Sequence, residues 1–168
     1  TVDRFNTSMG TAGTWTQSQS TTVPSGQGFA KSLKMDCTTA NGSLSAGSSL
    51  AIQQPIEGQN VQQFAKGTSG AKPITVSFYV KGNASATYTA ELEDSDNTRY
   101  NSQAFSVTTD WTRVELSFPP DTTGALDDDN AHSFDLNIWL HAGSDRTSGS
   151  LQTTWGALNQ ANRAVGIS

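Results

Sequence analysis

The chain has one cysteine, Cys37, so no disulfide can form within it, and the secreted, disulfide-stapled class is excluded. It has two histidines, His132 and His141, without the spacing of a zinc site. Positive charge is scarce too: 10 Lys and Arg face 15 Asp and Glu, for a net charge of −5. Nucleic acid needs a basic stripe to neutralise its phosphates, so this balance argues against it as a partner. No run approaches the ~20 apolar residues of a membrane helix, and no membrane insertion is expected. The Ala/Glu/Lys/Leu/Arg composition of a coiled coil is missing. The first residues from Thr1 do not read as a signal peptide, and both ends are expected to be cuts through a longer polypeptide. No Gly-x-Ser-x-Gly elbow and no phosphate-cradling loop is present.

What is there is uncharged and polar. The 21 Ser, 22 Thr, 10 Asn and 11 Gln make up more than a third of the 168 residues, while apolar residues are 34%. Four Trp, three Tyr and seven Phe separate the chain from a disordered polar tract, which lacks large aromatics.

The periodic signal is two. Ile74, Val76, Phe78 and Val80 alternate with Thr75, Ser77, Tyr79 and Lys81. The same pattern places Tyr88, Ala90 and Leu92 on one face, as it does Val114, Leu116 and Phe118, and Phe134, Leu136, Ile138 and Leu140. Leu33, Met35 and Cys37 share a phase, which predicts Cys37 as a small buried hydrophobe. Weaker strands are predicted around Phe5, around Trp15, at 50–56 and at 100–107. One short helix is predicted near 59–66, where Val61, Phe64 and Ala65 stand at helical spacing and Asn60 can cap. Turn residues such as Pro24-Ser25-Gly26 and Asn41-Gly42 separate the strands. About nine short strands without helical crossovers predict an all-β, two-sheet antiparallel sandwich. No internal repeat or linker divides residues 1–168, which read as one domain. The stretch 142–168 shows no alternation. Its closing strand is expected beyond Ser168, leaving this final loop without an anchor.

Two places invite chemistry. On the strand through Phe134, the off-phase residues are Asp135, Asn137, Trp139 and His141. An indole beside amide, carboxylate and imidazole suits a sugar, whose apolar face stacks while its hydroxyls take hydrogen bonds. Tyr79 can add a second platform. The alternative is that Trp139 belongs to a second core layer or lies under the terminal loop. The other place is Asp127-Asp128-Asp129-Asn130. Such a run can hold a structural calcium ion, but it lacks the spacing of a calcium loop and reads first as a solvated turn. No cofactor is expected. A glycosidase needs two carboxylates flanking a cleft. Glu91, Glu93 and Glu115 instead fall at positions expected to face solvent, so an enzyme is not expected.

The chain resembles a domain that recurs in phage structural proteins, especially tail-fibre and related virion proteins of marine phages. The matching segments are Asp3-Arg4-Phe5, Val23-Pro24-Ser25-Gly26-Gln27-Gly28-Phe29, Leu33-Lys34-Met35-Asp36 and Gln54-Pro55-Ile56-Glu57-Gly58-Gln59. They continue through Val76-Ser77-Phe78-Tyr79-Val80-Lys81, residues 111–118, Asp121-Thr122-Thr123-Gly124, Asp128-Asp129-Asn130 and Asn162-Arg163-Ala164-Val165-Gly166. The resemblance implies a jelly-roll sandwich of the carbohydrate-binding-module, galactose-binding type, with no motif-defined catalytic residues. It implies a location on the virion, outside the cell. Three functions follow as expectations. The first is a non-catalytic module that binds a host-surface glycan or polysaccharide. The second is a structural spacer or decoration domain contacting other virion subunits, as a homotrimer in the full-length protein. In that case Trp139 and Trp155 are buried. The third is an accessory module of a secreted polysaccharide-degrading enzyme.

Overall fold

The computed structural model describes residues 4–167; Asp3 of the first matching segment and Ser168 lie outside them. The described residues form an all-β antiparallel sandwich. Its strands are β1 (Asn6–Gly10), β2 (Thr14–Ser20), β3 (Ser32–Thr39), β4 (Ser49–Glu57) and β5 (Ile74–Val80). Further along come β6 (Ala86–Asp94), β7 (Arg99–Val107), β8 (Thr112–Phe118), β9 (His132–Ala142) and the short β10 (Gly156–Ala157). Six strands pair in the order β1-β4-β9-β6-β7-β10; β2–β3 and β5–β8 form separate two-stranded ladders.

The period-two pattern decides which face each strand buries. Leu92 and Phe134 of the large sheet pack with Ile74 and Phe118 of β5–β8. Ala90, Phe105 and Val107 pack with Val114 and the partly buried Phe78. Burying each large side chain contributes roughly 1.5–3 kcal/mol. The opposite faces carry the polar residues, which is how a chain with few apolar residues closes a core.

The predicted helical stretch takes the form of two 3-10 turns, Gly58–Asn60 and Gln62–Phe64. The second ends at Ala65 in the left-handed region, with φ of 49°. A four-residue helix, α1 (Ser144–Thr147), lies elsewhere. Cys37 is exposed rather than buried. The β2–β3 ladder pairs with no further strand, so burial declines toward this end of β3.

Gly67 has φ of +78°, and a Cβ there would sit 2.3 Å from the Ala125 amide nitrogen. Both the backbone conformation and the space demand glycine. Gly67→Ala is expected to cost more than about 1 kcal/mol, read as a lower urea midpoint with an unchanged slope.

Candidate functional site

The outer face of the six-stranded sheet is built from off-phase residues of β4, β6, β7 and β9. Register places Glu91 beside Asn137 and Glu93 beside Asp135, with Gln53 across from Asn137. Glu91, expected at the surface, is 0% exposed. The cover is the segment 143–167, which folds back over this face. Its Arg163 donates from Nε to Glu91 Oε2 at 2.9 Å, and from Nη2 to Glu91 Oε1 and Glu93 Oε2, each at 2.5 Å. Asn137 donates to the same two carboxylates at 3.1 and 3.2 Å, and Ser102 to Glu91 at 3.3 Å.

The segment is therefore anchored, contrary to the expectation from its lack of periodicity. Backbone bonds add to the hold: Gly143 N to Ser48 O at 2.7 Å and Ser102 N to Gln152 O at 2.7 Å. Burial by itself would lower the Arg163 pKa, but the bonds and charges of Glu91 and Glu93 raise it. Burial raises Glu93 above the ordinary carboxylate value; the Arg163 charge offsets part of this, while Glu91 and Asp135 push it further up.

The same segment closes over Trp139, which is 6% exposed. The Arg163 and Arg146 guanidinium groups lie 5.1 and 5.6 Å from its ring centroid, and Ala51 and Ala164 pack with it. The indole thus serves a second core layer. His141 leaves the predicted row: a bulge in β9 sets Trp139 opposite Ala51 and His141 opposite the fully buried Leu50. One extra residue shifts the alternation phase.

The uncovered corner of the face lies at His132, which meets the buried Asp135. Its carboxylate accepts from Gln53 and Ser95, each at 3.1 Å, and faces His132 Nε2 at 2.7 Å. The Asp135 side chain is buried, while that of His132 is 48% exposed. Ser, His and Asp meet here, but Ser95 bonds the carboxylate and not the imidazole. An activated nucleophile needs the base between the two. Beside this corner is a surface depression of about 300 Å³, lined by Pro55, Ile56, Glu57, Asn130 and His132. Pro55 and Ile56 provide apolar wall; the other three provide polar rim. His132 escaped the sequence reading because strict alternation sets it, three residues before Asp135, on the other face; a bulge at the start of β9 brings the two onto one face.

Tyr79 lies on the outer face of β5–β8, across the sandwich from Trp139, so the two do not form one platform. Its hydroxyl donates to Gln27 Oε1 at 2.8 Å, and Phe29 meets its ring edge-on at 5.7 Å. The Asp127–Asn130 run serves turns: Asp129 Oδ1 accepts from Ala131 N at 2.9 Å, and Asp127 N donates to Asp96 at 3.0 Å. Among the described residues no three His, Cys, Asp or Glu side chains converge as a metal site.

A second buried ion cluster lies on the core side. Lys66 Nζ bonds Asp94, lies 3.1 Å from Asp121, and donates to the carbonyls of Thr123 and Gly124 at 2.9 Å each. Arg99 grips Asp121 with two bonds of 2.9 Å. Burial pushes Asp121 up, but the bonds from Arg99, Lys66 and the Thr123 amide outweigh it and hold the carboxyl below its ordinary value. Trp155 covers the cluster, 5.4 Å from Lys66 Nζ, and donates to Pro119 O at 2.8 Å.

The fold and these faces define an antiparallel β-sandwich with one covered and one open polar surface. No family model matches the chain, and no curated protein matches it. Among solved structures, it is similar to the crystal structure of the bacteriophage CBA120 tailspike protein 4 enzymatically active domain, at 12% identity and a TM-score of 0.49. The match takes in 82% of this chain and 17% of that one.

Proposed function

We propose that this is a non-catalytic module of a phage tail-fibre or other virion structural protein, which contacts carbohydrate on the host surface. The observation that carries this reading is the open corner at His132. A half-exposed imidazole is held by a buried carboxylate, next to a depression with apolar walls and a polar rim. That combination suits a pyranose, which offers an apolar ring face and a belt of hydroxyls. The rigid strands present these groups in advance, so little ordering entropy is lost on contact. Weak single contacts gain avidity from many copies on a fibre. The resemblance to phage fibre domains supports the virion setting.

Calorimetric titration of the domain with purified host-surface polysaccharide tests it. His132→Ala should weaken binding by about tenfold, the loss expected from one hydrogen-bonding contact of ~1.4 kcal/mol. Absence of binding by the unaltered domain would sink the reading. A second reading, a spacer or decoration domain packed against other virion subunits, is favoured by Trp139. Its indole is consumed by internal packing. That role would leave the module without any polysaccharide affinity.

A further inference from the structure

We infer that the module has a second carbohydrate contact, centred on Phe29, Tyr79 and Gln27 on the opposite outer face; this rests on the glycan-binding reading above. The residues come from two distant parts of the chain. Tyr79 stands on β5, and Gln27 and Phe29 on the connection between β2 and β3. Phe29 is 51% exposed in a chain poor in apolar residues. A single exposed hydrophobe is ordinary and carries nothing. Phe29 is different because of its neighbours. Its ring meets that of Tyr79 at 66°, an edge-to-face arrangement, while about half of the Phe29 side chain stays open to solvent.

The Tyr79 hydroxyl is committed to Gln27 Oε1. That bond sets the orientation of the Gln27 amide and leaves its two nitrogen protons without a partner among the described residues. Next to Tyr79 in the β5–β8 register stands Arg113, ion-paired with Glu115, which is across from Ser77. Aromatic face, fixed amide donors, guanidinium and carboxylate thus lie together on one open surface. Each answers a part of a pyranose: the ring C–H face stacks, and the hydroxyls both donate and accept. A purely apolar partner would strip water from the Gln27 amide and the Arg113–Glu115 pair without replacing those contacts, and a polyanion would meet Glu115. The ligand class this surface fits is therefore a neutral sugar unit. Two sites on opposite faces would let one domain engage two glycan chains, or two stretches of one chain, with a gain in avidity.

Residue-resolved NMR titration separates this proposal from the reading beneath it. The probes are oligosaccharides released from purified bacterial O-polysaccharides and capsules. Expected are shifts of the Phe29 and Tyr79 ring signals and the Gln27 side-chain amide, with affinity at this site falling about tenfold in Phe29→Ala, the loss of one stacking contact. The His132 signals should respond to the same probe in that variant as in the unaltered protein. Half-exposed Phe29 can be removed without disturbing the core, and the remaining spectrum checks this. Tyr79→Phe keeps the ring but frees Gln27, and is expected to weaken binding less. Shifts at His132 alone would overturn the second contact and leave the glycan reading standing. No shifts anywhere would overturn both.

Discussion

Arg163→Met should destabilise the protein by about 3–5 kcal/mol, the cost of stranding a buried charge. Glu91 is fully buried, and its carboxylate takes two of the Arg163 bonds. Methionine fills the volume but leaves Glu91 and Glu93 facing each other without a cation. The segment 143–167 should loosen with it, because Arg163 and Ala164 are its buried anchors. Two measurements check this: a lowered urea midpoint, and early proteolytic cleavage within 143–167. Adding Glu91→Gln to Arg163→Met should restore part of the loss, since the stranded charge is gone. The pH dependence has a definite sign. Glu93 is already raised in the folded state, so its ionisation opposes folding at neutral pH, and that penalty disappears as pH falls through the raised value. Removing the cation enlarges the penalty. The deficit of Arg163→Met should therefore shrink in acid. A variant as stable as the unaltered protein at neutral pH would show that the ion cluster contributes nothing to the hold of the segment.

Lys66→Met should have a comparable effect, about 3–5 kcal/mol, at the other ion cluster. Among the described residues Lys66 is the one cation on Asp94, which is fully buried, and it shares Asp121 with Arg99. Two backbone carbonyls would lose their donor as well. The measured quantity is again the urea midpoint, but the segment 143–167 should keep its protease resistance more fully than in Arg163→Met. In the unaltered protein Asp121 is held low, so the stability it contributes is complete above its unfolded-state value and is lost as pH falls through the lower folded one. Lys66→Met removes part of that hold, so acid should cost the variant less than it costs the unaltered protein. Equal acid sensitivity in both would mean that Lys66 does not hold Asp121 low.

The strands were legible because alternation is local. The β5 bounds at Ile74 and Val80 coincide with the alternating run, and β6, β8 and β9 differ from theirs by a residue or two. The off-phase row of Asp135, Asn137 and Trp139 was legible for the same reason. Its fate was not. Arg163 is 72 positions from Glu91 and sits in a stretch without periodicity, so nothing local announces that it covers the face. His141 was misplaced and His132 overlooked because of bulges, which add one residue and leave composition unchanged. Gln27 and Phe29 reach Tyr79 from about 50 positions away, through a loop whose path only packing sets.

Local chemistry thus determined the fold class, the faces of the principal strands and the polar character of both outer surfaces, because side-chain alternation depends on neighbours two residues apart. Tertiary structure alone decided which of those surfaces is open. The segment 143–167 buries Trp139 and Glu91 through ion pairs between residues far apart in the chain. Such pairs form only where the fold brings the charges together and excludes water from them.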